Sequence, residues 1–231
     1  ESVRVVSETW TPAGGGTFGQ CVPAARPEDL IVTGEPQSIL AVREDRFFRT
    51  NLILANASEE PLDVDVSLIA DSGEVLGAAA TRFGLPPLGM TQISRIVRAL
   101  GVSADVSGAR LVVSTPTVGK GFAAYATAVD NVTNDPRTLL PVGASERDQP
   151  ALTYWLVPSS AHAPGTGGAF YTTDLTVGYA NVHSAQFTLK FLGHDADGRA
   201  GAEGTFELGA QRSVTYRDVL GSVFGRTADF G

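Results

Sequence analysis

The sequence predicts an all-β fold of two tandem β-sandwich modules, each with one short helix. Three observations carry that expectation. First, Phe47-Phe48-Arg49-Thr50-Asn51-Leu52-Ile53-Leu54-Ala55-Asn56 returns as Phe170-Tyr171-Thr172-Thr173-Asp174-Leu175-Thr176-Val177-Gly178-Tyr179-Ala180-Asn181. In both, aromatic-x-Thr-(Asn/Asp)-Leu opens a strand. Second, 26 Gly and 13 Pro punctuate short Val- and Thr-rich runs, the mark of many short strands joined by turns. Third, the residues C-terminal to each copy also match. Leu88-Gly89 is answered by Leu208-Gly209, and a short helix stops at Leu100-Gly101 and again at Phe224-Gly225.

Taken in order, residues 2–10 alternate like a half-buried strand until Pro12 and Gly14-Gly15-Gly16 break it. Phe18 to Pro23 is a second short strand. Residues 24–37 read as a linker with a short strand at Leu30–Val32. Ser38–Val42 and Arg46–Ala55 are strands. Leu62–Ile69 alternates cleanly, with Val64, Val66 and Leu68 on one face and Asp63, Asp65 and Ser67 on the other, so one face of its sheet is wet. Asp71-Ser72-Gly73 is a hairpin turn and Glu74–Phe83 the return strand. Met90–Ile93 is a strand, and Ser94 can cap a helix over Arg95–Leu100, stopped by Gly101. Ala109–Thr115, Phe122–Val129 and Arg137–Val142 are the last strands of this copy. After a polar linker at 143–150, the second copy runs Leu152–Val157, Ala169–Ala180 and Ala185–Leu192, then a turn at Asp195-Ala196-Asp197-Gly198. Gly204–Leu208, Ser213–Tyr216 and a helix over Asp218–Phe224 complete it. Its inward set Phe187, Leu189 and Phe191 matches Val64, Val66 and Leu68.

The second copy has no counterparts of the last three strands of the first. Two of them have counterparts at the front of the chain: residues 2–12 match 121–131, and 17–24 match 136–142, with Val22-Pro23 where Leu140-Pro141 stands. The expected organisation is therefore tail strands of a repeat at 1–25, a complete module at 26–145 and an incomplete module at 150–231. Each unit, with seven or eight short strands in about 110 residues, fits a sandwich of immunoglobulin-like general shape. An incomplete sandwich exposes core and a row of unpaired backbone groups. Val3, Val5, Trp10, Phe18 and Val22 are the expected assembly positions, each worth roughly 1.5–3 kcal/mol when buried. Three closures stand open: the N-terminal strands fold onto 151–231 of the same chain, they insert into a neighbouring chain, or partner strands lie beyond the ends of the sequence. The second would be head-to-tail and would generate a ring or a filament.

Composition removes several function classes. Hydrophobic residues at 43% belong to a folded chain. A formal charge of −8, with Lys only at Lys120 and Lys190, argues against nucleic acid as a partner and against an anionic membrane surface. No apolar run approaches the ~20 residues that span a bilayer. Residues 1–10 lack the charged and apolar regions of a signal peptide. With the strand-like start at Val3-x-Val5-Val6, this points to a processed chain or an excerpt. One cysteine, Cys21, permits no intrachain disulfide; a core thiol is the expectation, an intermolecular disulfide the sharper alternative.

Phe48-Arg49-Thr50-Asn51-Leu52, Asp130-Asn131-x-Thr133-x-Asp135-Pro136, Thr17-Phe18-Gly19-Gln20-x-Val22-Pro23 and Tyr171-x-Thr173-Asp174-Leu175 together resemble the tandem β-sandwich repeat modules of large secreted bacterial proteins. Those modules sit at C-terminal ends, often downstream of a protease or other enzyme domain. The resemblance covers nearly the whole chain and implies secretion to the extracellular space or cell surface, with a structural or adhesive role. It supplies no catalytic residues. The chain departs from it in lacking an enzyme domain and in starting and ending mid-module.

Candidate chemistry is sparse. Gly14-Gly15-Gly16-Thr17-Phe18-Gly19 fits G-x-G-x-x-G, but strand-like Gln20-Cys21-Val22-Pro23 comes next, where a dinucleotide site needs a helix. Asp195-x-Asp197-Gly198 is half of a calcium loop, and Asp130, Asn131, Asn134 and Asp135 make a denser oxygen cluster. Both also read as turns, and calcium is the one cofactor they leave room for. His162, His183 and His194 lack metal-ligand spacing and are expected in solvated loops. No G-x-S-x-G elbow is present. Tyr154-Trp155, Tyr171, Tyr179 and Tyr216 could form a sugar-binding face, although cross-strand packing is the first expectation. The chain is thus expected to be a non-enzymatic extracellular structural module that self-associates or binds neighbouring modules, head-to-tail by strand complementation into a filament or surface layer. A carbohydrate- or surface-binding accessory module of a larger secreted enzyme is the alternative.

Overall fold

The computed structural model describes residues 5–13, 16–142, 154–179 and 181–231. Val3, the linker at 143–150 and the start of the expected strand Leu152–Val157 lie outside them. The fold is all-β, in antiparallel sheets with two four-residue α-helices among the described residues. The chain divides into two units, Glu1–Gln149 and Pro150–Gly231.

The first unit opens with a hairpin of β1 (Val6–Ala13) and β2 (Gly16–Pro23), a two-stranded sheet of its own. Pro12 does not end β1; it lies opposite Thr17 near the hairpin turn. Then come β3 (Ile31–Val32), β4 (Gln37–Glu44), β5 (Phe48–Asn56), β6 (Leu62–Ala70), β7 (Val75–Leu85), β8 (Met90–Ile93), α1 (Ile96–Ala99), β9 (Val106–Ser114), β10 (Gly121–Asp130), β11 (Pro136–Leu139) and β12 (Pro141–Val142). One five-stranded sheet has the order β11-β10-β5-β8, with β3 also on β10; the other is β12-β4-β9-β6-β7. The expected strand Arg137–Val142 is split at Leu140, because its two halves join different sheets. Leu52, Leu54, Phe122, Ala124 and Ala126 from the first sheet meet Ile39, Val64, Val66, Leu68, Leu111 and Val113 from the second in one buried core. The Val64/Val66/Leu68 face of β6 is the buried one, as its alternation requires.

Two irregularities fit these two sheets together. Ala41 takes φ 60°, and the β4–β9 register shifts between Ile39 and Val42. This bulge returns Val42 to the core. In β7, Gly77 has φ +76°, and a Cβ there would stand 2.7 Å from the Leu100 carbonyl oxygen, so glycine alone fits. Ser94 does not cap α1. Arg95 holds the cap position in the left-handed region, φ 53°, and its N–H donates to Asn51 Oδ1 at 3.0 Å.

The second unit contains β13 (Ala161–Pro164), β14 (Phe170–Thr172), β15 (Leu175–Gly178), β16 (Ala185–Lys190), β17 (Glu203–Leu208), β18 (Ser213–Tyr216), α2 (Val219–Ser222) and β19 (Asp229–Phe230). Its sheets are small: β14-β13-β19, β15-β18 and β16-β17. Residues 154–157 form no strand, and the expected strand 169–180 is interrupted at Thr173-Asp174. The buried core is Phe191, Val219 and Leu220, with Leu175, Leu189 and Tyr216 packed against it.

The two units share a register. Leu52 lies opposite Ile93 on β5–β8, and Leu175 opposite Tyr216 on β15–β18, an offset of 123 on both strands (175 less 52, and 216 less 93). The same offset carries Leu62↔Leu85 onto Ala185↔Leu208, and Val64↔Phe83 onto Phe187↔Phe206. It also carries the Arg95 N–H bond to Asn51 Oδ1 onto that of Asp218 N–H to Asp174 Oδ1.

Candidate functional site

The shared register makes the first unit a template for what surrounds each strand of the second. β5 is a central strand, flanked by β10 and β8. Its counterpart β15 has β18 on one side and, among the described residues, no strand on the other. β6 lies between β7 and β9, whereas β16 has only β17 among the described residues. Burial differs accordingly. Leu52, Leu54, Val64 and Val66 are fully buried, while Leu175, Val177, Phe187 and Leu189 at the matching positions are half-buried. Tyr154, Trp155, Leu156 and Val157 are exposed, as are Phe170 and Tyr171. For Tyr154, Trp155 and Tyr171 this exposure departs from the expectation of core or cross-strand packing, whereas Phe170 packs against His162 on β13. Tyr216 does pack, 5.2 Å from Phe206, and burial raises its hydroxyl pKa.

The first unit has an open strand pair of its own, the β1–β2 hairpin. Val5 and Trp10 are 64% and 63% exposed, and Phe18 and Val22 are half-buried. β1 pairs with β2 alone among the described residues. β2 lies beside β11, whose Thr138 hydroxyl donates to the Cys21 carbonyl at 2.8 Å. Cys21 is an exposed free thiol, not a core one. It stands opposite Glu8, on the face that also carries Trp10 and Gly19, and that face looks to solvent.

The acidic candidates form turns. Asp130 Oδ1 accepts from the N–H groups of Thr133 and Val132 at 2.9 and 2.7 Å, which hold its carboxyl below the usual range. Asn131 Oδ1 accepts from Arg49 at 2.8 Å, and the Asp135 N–H donates to the Thr133 hydroxyl. Asp197 caps a short 3-10 turn, and its hydrogen bonds with Arg199 lower its pKa. Asp195 sits 3.2 Å from His194 Nδ1. No group of three or more metal-ligating side chains occurs among the described residues.

Two polar pairs have no forewarning in motif or spacing. Glu44 is fully buried, 3.2 Å from Arg95 Nε and 3.6 Å from Arg98 Nε, and accepts from the Val97 N–H at 3.3 Å. Burial pushes its pKa up, against the pull of Arg95. In the second unit His162, expected in a loop, lies on β13 with Nδ1 2.8 Å from Asp218, and Phe170 packs edge-on against its ring. Asp218 is the 123-offset partner of Arg95, and both hold left-handed φ, 48° and 53°. His162 stands where Glu44 stands, since the Ala161 N–H bonds Thr173 Oγ1 just as the Arg43 N–H bonds Thr50 Oγ1. The same position thus carries a side-chain pair with the carboxylate exchanged, on the strand in the first unit and at the head of the helix in the second, in the service of packing a helix onto a sheet. Comparison of the chain with family models, curated proteins and solved structures finds no match.

Proposed function

We propose that the chain is a non-enzymatic structural module of the extracellular space or cell surface, built of two tandem immunoglobulin-like sandwich repeats. It joins copies or neighbouring repeats head-to-tail by strand complementation. One observation carries this reading: the second unit leaves half-buried the positions that the first unit buries completely, because β15 and β16 each have one neighbour among the described residues where β5 and β6 have two. Half-exposed core strands are a free edge that another chain can extend. The common register of the two units supports the tandem repeat, and the resemblance to secreted modules supports the location. Light scattering over a hundredfold concentration range tests the reading. Growth in mass with concentration is the expected result, and a constant monomer mass would overturn it.

The exposure of Tyr154, Trp155 and Tyr171 favours a second reading, an aromatic platform for polysaccharide. Retention on a polysaccharide column that is abolished by Trp155→Ala, in a chain that stays monomeric, would establish it in place of the first.

A further inference from the structure

We infer that the occupant of the free β15 edge is the β1–β2 hairpin of a second copy of this chain, added in the order β2-β1-β15-β18. This rests on the assembly proposed above and specifies its geometry. The first unit supplies the pattern. Its sheet runs β11-β10-β5-β8, in which β10 and β11 are an antiparallel hairpin laid against the outer edge of β5. The chain carries another antiparallel hairpin, β1–β2, whose residues 2–12 and 17–24 match 121–131 and 136–142 in sequence. It also carries another β5–β8 pair, β15–β18, in the same register. What each lacks, the other has. The hairpin holds its own unit through β2, at Thr138, and among the described residues the outer edge of β1 pairs with no strand.

The match of residues 2–12 to 121–131 sets the register. Ala124 lies opposite Leu54, and Ala126 opposite Leu52. Carried across the repeat, Val5 comes opposite Val177 and Ser7 opposite Leu175. Beyond Phe122, the inward positions of β10 (Ala124, Ala126, Ala128) are small and buried, and Val5, Ser7 and Thr9 are the residues that would match them. A slip of one residue would turn Val6, Glu8 and Trp10 inward and drive a carboxylate into the core. Leu175 and Val177, half-buried in the lone chain, are the core positions that this pairing would cover.

Disulfide trapping in a Cys21→Ser background tests the register, because opposed residues in an antiparallel pair have Cα separations that a disulfide spans. Full-length chains carrying Val5→Cys are mixed with chains carrying Val177→Cys and oxidised, with light scattering on the same samples beforehand. The expected product is a dimer joining one of each, in about tenfold the yield given by the slipped pair Val6→Cys and Val177→Cys. Assembly seen by scattering, with no preference for the first pair, overturns the strand order and leaves the proposed function standing. Monomers at every concentration overturn both. An internal disulfide in a monomeric chain bearing both Val5→Cys and Val177→Cys assigns the hairpin to its own chain and overturns the second copy as occupant.

Discussion

Glu44 shows how a single side chain couples the core to pH. Its carboxylate is fully buried between β4 and α1, with Arg95 and Arg98 as partners. Burial holds the folded carboxyl above its ordinary value of about 4.3. Between the ordinary and the folded value the native state holds a proton that the unfolded chain has lost. The contribution of this group to stability is therefore fullest below about pH 4 and declines as pH rises through that window. Asp45, Asp65 and Asp130 have lowered values and act in the opposite sense, losing their contribution as pH falls. Comparison with Glu44→Gln isolates the one group. The melting temperature of the native chain minus that of Glu44→Gln should fall between pH 4 and pH 7, and a difference that is flat across that range would refute the assignment. The counterpart pair makes a second prediction. If His162–Asp218 occupies the site of Glu44–Arg95, the pair can be exchanged. His162→Glu alone places two carboxylates together and should destabilise the second unit, as should Asp218→Arg alone. The double variant should recover about 1 kcal/mol or more beyond additivity in a thermal double-mutant cycle; strict additivity would show that the two sites are not equivalent.

At the scale of elements, a strand's worth depends on its neighbours more than on its own residues. Leu52 and Leu175 are the same residue at matching positions, one fully buried and the other half-buried. Leu52→Ala should cost the first unit about 2–5 kcal/mol. Leu175→Ala should cost the second unit less than half of that in dilute solution, and the gap should narrow at concentrations where copies associate. Chemical denaturation at two protein concentrations measures both, and an equal cost in dilute solution would mean that the second core is already closed. The same dependence explains what the sequence could disclose. Met90–Ile93 and Ser213–Tyr216 are strands with the expected bounds, and the alternation of Leu62–Ile69 revealed its inward face, because these depend on local pattern. Leu152–Val157 reads as a strand for the same local reason, yet 154–157 stays unpaired. Its counterpart β4 is held by β9 and β12; of these the described second unit offers only a match to the first residues of β9, β19, which pairs with β13 beyond this segment. The partner of His162 and the exposure of Cys21 were illegible in another way. Both depend on which face of a strand meets a neighbour distant in sequence, and a one-residue change of register reverses that face.

At the scale of the whole molecule, two units with unequal cores imply two separate unfolding events. Twenty buried apolar side chains form the core cluster of the first unit and three that of the second, among the described residues. The second should therefore melt first. Strand addition binds its folded form and not its unfolded form, so its stability must track mass action. A tenfold rise in free partner above the dissociation constant adds about 1.4 kcal/mol. One kcal/mol moves the midpoint of a 60–100-residue domain by about 4–8 °C. Scanning calorimetry should thus show a lower transition that climbs roughly 6–11 °C for each tenfold increase in protein, beneath an upper transition that stays fixed. The formal charge of −8 opposes the approach of two copies, so added salt should move the lower transition in the same direction as added protein. A single concentration-independent transition would mean that the second unit is complete as it stands, and that the free edge of β15 is an end and not a joint.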